Sequence, residues 1–327
     1  MVKNITLVCF DYALSSVITG ILDLFSLTGV SWNRVQGQPP QPLFQVDLVS
    51  LDGKPVQCLN RLMITPHKSL SEVEDTDLIM LPPIGANIDK TLDYQQDLFP
   101  WLREQHAKGA QIASSCTGTF LLAKSGLLDG KKATTHWGYV EQFRDRFPDV
   151  ILKPQQLITN EVDLFCAGGG SAWMDLSLFL IELNCGREIA LQTAKALIID
   201  RERSSQVPYC TVKGQKYHQD KEILAAQEWM EENLSQKIRM EQVGMHFGMS
   251  SRTFKRRFKS ATGDSPLPYL QSLRIESAKK LLESTRLSID EITLQVGYED
   301  SSSFMKLFKR NSGISPNAYR NKFNHSY

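Results

Sequence analysis

Apolar residues along this chain follow two different rhythms. Up to about residue 185, short β-branched runs alternate with segments of helical spacing. "ITLVCF" (5–10), "FQVDLVSL" (44–51), "DLIMLP" (77–82), "AQIASS" (110–115) and "VDLFCAG" (162–168) read as strands. In "KTLDYQQDLFPWLREQHAKG", Leu92, Leu98 and Leu102 share a helical face, and Gly109 stands where a helix would stop. Strands alternating with helices of this length predict an α/β unit, a mostly parallel sheet sandwiched by helices. The glycine run Gly168 to Gly170 then leads into "SAWMDLSLFLIELN", a strongly apolar helix expected in the core. After residue 221 every periodic stretch is helical: Ile223, Ala226, Met230 and Leu234 mark one helix, and Ile275, Ala278 and Leu282 a later one. The polar stretch between, with no apolar period, reads as a linker. The expected division is 1–200, a linker at 201–220, and an all-α unit at 221–327.

A length of 327 residues exceeds what one core usually supports, which agrees with two units. No run of ~18 uncharged apolar residues occurs, so no membrane partner is expected. The start "MVKNITLVCFDY" lacks the apolar block of a signal peptide, and the expected location is the cytoplasm. Six scattered cysteines without CxxC spacing are expected to be reduced and mostly buried. With six histidines equally unclustered, neither a metal nor a cofactor is implied. The net charge of +1 conceals an asymmetry: residues 221–327 hold 17 basic and 12 acidic side chains, residues 1–220 hold 20 and 24. A basic C-terminal unit suits a nucleic-acid partner.

That unit repeats itself. "FKRRFKSATGDSPLPY" (254–269) lies over "FMKLFKRNSGISPNAY" (304–319) at a constant offset of 50, and "MEQVGMHFG" (240–248) over "IDEITLQVG" (289–297) at 49. Each copy has the anatomy of a helix-turn-helix. A short helix carries Val243 and Phe247, or Ile292 and Val296, and ends at Gly248 or Gly297, where glycine permits a sharp turn. Ser250 or Ser251, and Ser301 in the second copy, are the expected caps of the next helix. Its Phe pair (Phe254 and Phe258, Phe304 and Phe308) faces inward at i and i+4. Arg252, Lys255 and Arg256, with Ser302, Met305 and Lys306, must then point outward toward a DNA major groove. Arg257, Lys259, Lys309 and Arg310 are placed to hold phosphates.

"ITLQVGYEDSSSFMKLFKRNSGISPNAYR" (292–320) is close to the signature of the AraC-family DNA-binding domain, and the resemblance covers about 221–322. It implies two helix-turn-helix units joined by a long helix, with recognition helices in successive major-groove segments ~34 Å apart on double-stranded promoter DNA. Met249 departs from the second copy's aromatic Tyr298.

"DLIMLPPIGAN" and "SSCTGTFLLAKSGLLDGKKATTHW" resemble the class I glutamine amidotransferase-like fold in its ThiJ/PfpI branch, across about 3–190. Fusions of this fold to an AraC-type domain form a known group of regulators, often called GlxA-like, which this chain resembles from end to end. Enzymes of the branch use the cysteine at a strand-to-helix elbow, here Cys116, as nucleophile. They also keep an acid in the first strand-to-helix loop, where this chain has Val17, and many follow the cysteine with His, where it has Thr117. His136 is the remaining partner for a catalytic cysteine. The leading expectation is a pocket without catalysis that binds a metabolite, lined by Gly85, Cys116, Thr117, His136 and Trp137. The resemblance implies an amino acid or quaternary amine as effector, a homodimer, and contact with RNA polymerase if the protein activates. Two alternatives stay open: a cysteine-dependent hydrolase or lyase using Cys116 and His136, and a redox switch at Cys116.

Overall fold

The computed structural model describes residues 2–85, 87–200, 203, 205–210, 218 and 220–324. The chain divides into two compact units, Met1–Gln206 and Val207–Tyr327. Of the expected linker 201–220, residues 201, 202, 204, 211–217 and 219 lie outside the described set.

The first unit is built on a seven-stranded sheet: β1 (Lys3–Val8), β2 (Phe44–Ser50), β3 (Lys68–Ser69), β4 (Leu78–Leu81), β5 (Gln111–Ser115), β6 (Ile158–Glu161) and β7 (Leu164–Ala167), ordered β6-β7-β5-β4-β1-β2-β3. Every pairing is parallel except that of β6 with β7. All four residues of β4 and of β7 are buried, as strands covered on both faces require. Helices α1 (Ser15–Ser26), α2 (Ile88–Tyr94), α3 (Leu98–Ala107), α4 (Thr119–Lys124), α5 (Ala172–Cys185) and α6 (Arg187–Leu197) supply the layers. Packing of α1 on α5 depends on Gly20, where a Cβ would lie 2.4 Å from the ring of Trp173.

Two local expectations are corrected. The helical stretch expected to run through to Gly109 divides into α2 and α3. Pro100, with no N–H to donate, is tolerated in the first turn of a new helix but not inside a continuous one. The strand near 162–168 belongs to a hairpin whose first arm, β6, carries too short a pattern to be read alone, and whose tip holds Val162 at φ +60°.

The second unit contains α7 (Lys221–Glu232), α8 (Met240–His246), α9 (Ser251–Thr262), α10 (Pro266–Ser284), α11 (Ile289–Gln295), α12 (Ser301–Ser312) and α13 (Pro316–Phe323). It holds two separate apolar cores. One gathers Ile223, Met230, Val243, Phe254, Phe258 and Tyr269; the other gathers Ile275, Leu282, Ile292, Val296, Phe304, Phe308 and Tyr319. The long α10 serves both, giving Tyr269 and Leu270 to the first and Ile275, Ala278 and Leu282 to the second. Leu234, expected on α7, lies beyond its end and packs against the first core.

All six cysteines are free; Cys185 and Cys210 are half-buried and the others buried. Among the described residues, no helix is long and apolar enough to cross a membrane, and no cluster of His, Cys, Asp and Glu could hold a metal ion.

Candidate nucleic-acid interface and cysteine elbow

In both copies the Phe pair decides what the recognition helix shows to solvent. Phe254 and Phe258 are fully buried with ring centroids 5.5 Å apart, and Phe304 and Phe308 are buried at 5.8 Å. The inner ring of each pair meets the edge of a tyrosine from the following helix, Phe258 to Tyr269 at 5.2 Å and Phe308 to Tyr319 at 5.6 Å. With that face spent, Arg252, Lys255, Arg256 and Lys259 on α9 and Ser302, Met305, Lys306, Lys309 and Arg310 on α12 are exposed. Neither helix contains an acid.

Arg257 departs from its expected phosphate role. Its guanidinium donates to both carboxylate oxygens of Asp220, at 2.9 and 2.6 Å, and to Glu222 at 2.7 Å, which joins α9 to the start of α7. Two carboxylates already occupy its donors, so the cation holds the fold. Capping differs between the copies as well. Ser250 accepts from the Thr253 N–H as expected, but the cap of α12 is Asp300, which accepts from Ser302 and Ser303; Ser301 is the first helical residue and donates to Asp290 at 2.5 Å.

Arg274, which the sequence pattern did not single out, ties the copies together. From α10 its guanidinium donates to the carbonyls of Leu234 (2.8 Å) and Gln236 (2.7 Å) near the first copy, and lies 5.0 Å over the ring of Tyr298 in the second.

In the first unit, β5 runs into a sharp turn at Cys116, whose φ of +56° is strained for a residue with a side chain. Cys116 is 8% exposed, and burial pushes its thiol up from the ordinary value, only partly offset by donors from Thr117 and Gly170. Burial thus works against the thiolate form that a nucleophile needs. Val17, standing where the resemblance implies an acid, is core. Thr117 is 2% exposed, its hydroxyl spent on the carbonyl of Ile84 at 2.8 Å. His136 accepts the Gly138 N–H at Nδ1 (2.9 Å) and packs against Trp137 and Tyr139. The glycine run makes room for it, since a Cβ on Gly169 would lie 2.0 Å from the imidazole. Gly85 backs onto the Tyr12 carbonyl, which accepts its N–H at 2.9 Å.

Gln206, from the segment read only as linker, closes this region. Its carboxamide donates to the carbonyls of Thr135 (2.8 Å) and Pro154 (2.7 Å) and accepts from the N–H groups of Gly169 (3.2 Å) and Trp137 (3.4 Å). The N–H groups of Trp137 and Gly169 beside the elbow are thus engaged by the chain itself. A cavity of about 920 Å³ opens elsewhere in the unit, at the carboxyl ends of β1 and β2 against α2. None of Gly85, Cys116, Thr117, His136 and Trp137 lines it.

Comparison with known proteins agrees with both halves of this geometry. Residues 245–322 match a family described as a helix-turn-helix domain, and residues 41–161 match the DJ-1/PfpI family. The HTH-type transcriptional regulator GbdR of Pseudomonas aeruginosa is 29% identical over 288 residues, which cover 87% of this chain and 76% of that protein. The chain belongs to the AraC-family transcription regulators that carry a DJ-1/PfpI domain. Two further likenesses concern the first unit of this AraC-family regulator. Isonitrile hydratase of Pseudomonas putida is 30% identical over 169 residues, 51% of this chain and 70% of that enzyme. The crystal structure of Drosophila melanogaster DJ-1beta superposes with a TM-score of 0.51 at 22% identity, over 61% of this chain and all of that one, which shows the shared fold. The regulator therefore keeps a fold that also houses an enzyme, and its elbow chemistry has to be judged from its own residues.

Proposed function

We propose that α9 and α12 read promoter DNA together, and that the DJ-1/PfpI domain is a receptor for a small polar effector and not an enzyme. The observation that carries the DNA half is the pair of acid-free helices whose buried Phe pairs turn their cations to solvent. Arg252, Lys255 and Arg256, and Ser302, Met305 and Lys306, would reach base edges, where a good bidentate contact contributes about 1–3 kcal/mol of discrimination. Lys259, Lys309 and Arg310 would hold phosphates. Coupling requires that the effector bind the DNA-competent and incompetent states unequally. A homodimer, contact with RNA polymerase if the regulator activates, and a cytoplasmic location complete this reading.

The receptor reading is supported by the buried thiol of Cys116, the apolar Val17 and the Thr117 hydroxyl bound to the Ile84 carbonyl. The likeness to isonitrile hydratase favours a second reading, an enzyme acting at Cys116. Cys116→Ser separates them. The receptor reading expects unchanged promoter control and no isonitrile hydration in either form. A hydration rate in the wild type that disappears in the variant would establish the enzyme. Peroxide treatment addresses a redox switch, with unchanged DNA affinity expected because the thiol is buried.

A further inference from the structure

We propose that Met305 reads the 5-methyl group of a thymine, so that an apolar contact selects the half-site under α12 where hydrogen bonds select the half-site under α9. This rests on the joint-reading proposal and names the base that its second helix takes.

Its neighbours hold Met305 on the reading face. Phe304, Leu307 and Phe308 turn into the second core, which leaves Ser302, Met305, Lys306 and Lys309 on one exposed stripe of α12. The Asp300 cap fixes the start of that stripe by accepting from the Ser302 and Ser303 N–H groups. Met305 stands in its middle, 41% exposed. The offset of 50 puts Lys255 at the same point of α9, where it is exposed as well. Met245, Leu267 and Leu294 are also exposed, but they stand on α8, α10 and α11, none of which is a recognition helix.

Chemistry then selects the base. A thioether has no donor and is a weak acceptor, so Met305 cannot make the paired hydrogen bonds open to Lys255 or Arg256. Among the groups that base pairs present in the major groove, only the thymine 5-methyl is apolar. Set against a donor or acceptor, Met305 would shut out water and leave that group unpaired, at a cost. Set against the methyl, it removes apolar surface on both sides from water. Its unbranched, rotatable chain lets the end adapt to such a contact.

A direction on the duplex follows. Arg252, Lys255 and Arg256 ask for guanine-bearing edges, whereas Met305 asks for thymine, with Ser302 tolerant of either kind of edge and Lys306 suited to guanine. Two readers built on one scaffold therefore require unlike half-sites, and the operator is asymmetric.

Selection from random duplexes by the full-length protein supplies the probe, and the half-site under α12 is the block that Lys306→Ala degrades. Thymines of that block, on both strands, are replaced one at a time by deoxyuridine, which lacks only the 5-methyl group. At one position the replacement should weaken wild-type binding about fourfold, as loss of one buried methyl-sized group does. Met305→Gln, of similar length on an exposed position, should bind the thymine and uracil duplexes equally, while Met305→Leu should keep the difference. Met305→Lys, which installs the residue of the first copy, should move the preference there from thymine to guanine. A uracil that costs nothing at any position, or costs Met305→Gln as much as the wild type, would overturn this assignment and leave joint reading intact. Selection that enriches no block would overturn both.

Discussion

The two helix-turn-helix copies share a core and differ at their edges. Phe254, Phe258 and Tyr269 stack as Phe304, Phe308 and Tyr319 do, and even the tyrosine hydroxyls repeat a role, donating to Glu231 at 3.2 Å and to Glu283 at 2.6 Å. The first copy opens α8 after Arg239 without a side-chain cap, whereas the second opens α11 with a reciprocal Ser288 and Glu291 capping box. The first recognition helix presents Arg252, Lys255 and Arg256 where the second presents Ser302, Met305 and Lys306. A duplicated scaffold is thus preserved by its aromatic interior, while its outward positions have diverged into a strongly cationic reader and a milder one.

The largest expected break in this symmetry is at the turn glycines. Gly248 and Gly297 both have positive φ, at +69° and +84°, but a Cβ on Gly248 enters open space whereas one on Gly297 would lie 2.6 Å from the Leu234 carbonyl. Gly248→Ala should cost about 1 kcal/mol, from backbone strain alone, and Gly297→Ala about 3 kcal/mol, from strain plus collision. Urea unfolding of the full chain checks the ratio, and equal losses would contradict it.

At the reading surface, Arg256→Ala should weaken specific binding by ~1–3 kcal/mol and relax one base preference, with a smaller effect from Lys306→Ala. Lys309→Ala should weaken binding to all sequences and reduce the salt slope by about one. Competition titrations at two salt concentrations distinguish the two kinds of loss.

Arg274 bridges the two copies, so its loss should loosen the spacing of their recognition helices. Arg274→Met should reduce the affinity penalty for moving the two half-sites one base pair apart by about 1 kcal/mol, since a looser joint accommodates the wrong spacing. An unchanged penalty would remove Arg274 from that role.

The smallest expected effect is on acid stability. Arg257 holds the Asp220 carboxyl below its ordinary value of 3.8, so the contribution of this pair is complete above that pH. It fades as the pH falls below 3.8 through the lowered value. Asp220→Asn should flatten the acid limb of the second unit's stability and leave the neutral range nearly level.

The legible parts were those written in local periodicity. Five sheet strands, the apolar α5 and both Phe pairs follow from spacing alone. What escaped depends on residues far apart in the chain or on unmarked turns. Arg257 looked like a phosphate contact because its partners, Asp220 and Glu222, lie 37 and 35 positions away. The hairpin of β6 and β7 turns at Val162, a β-branched residue that no turn rule would choose for positive φ. Gln206 sat in a polar stretch whose composition announced a linker, and the cavity is assembled from three segments that no single motif joins.

The most direct test of joint reading is selection of bound duplexes from a random library by the full-length protein. Two conserved blocks about one helical turn apart are expected, with Arg256→Ala blurring one and Lys306→Ala blurring the other. A single block, no enrichment at all, or one block degraded by both substitutions would contradict the account.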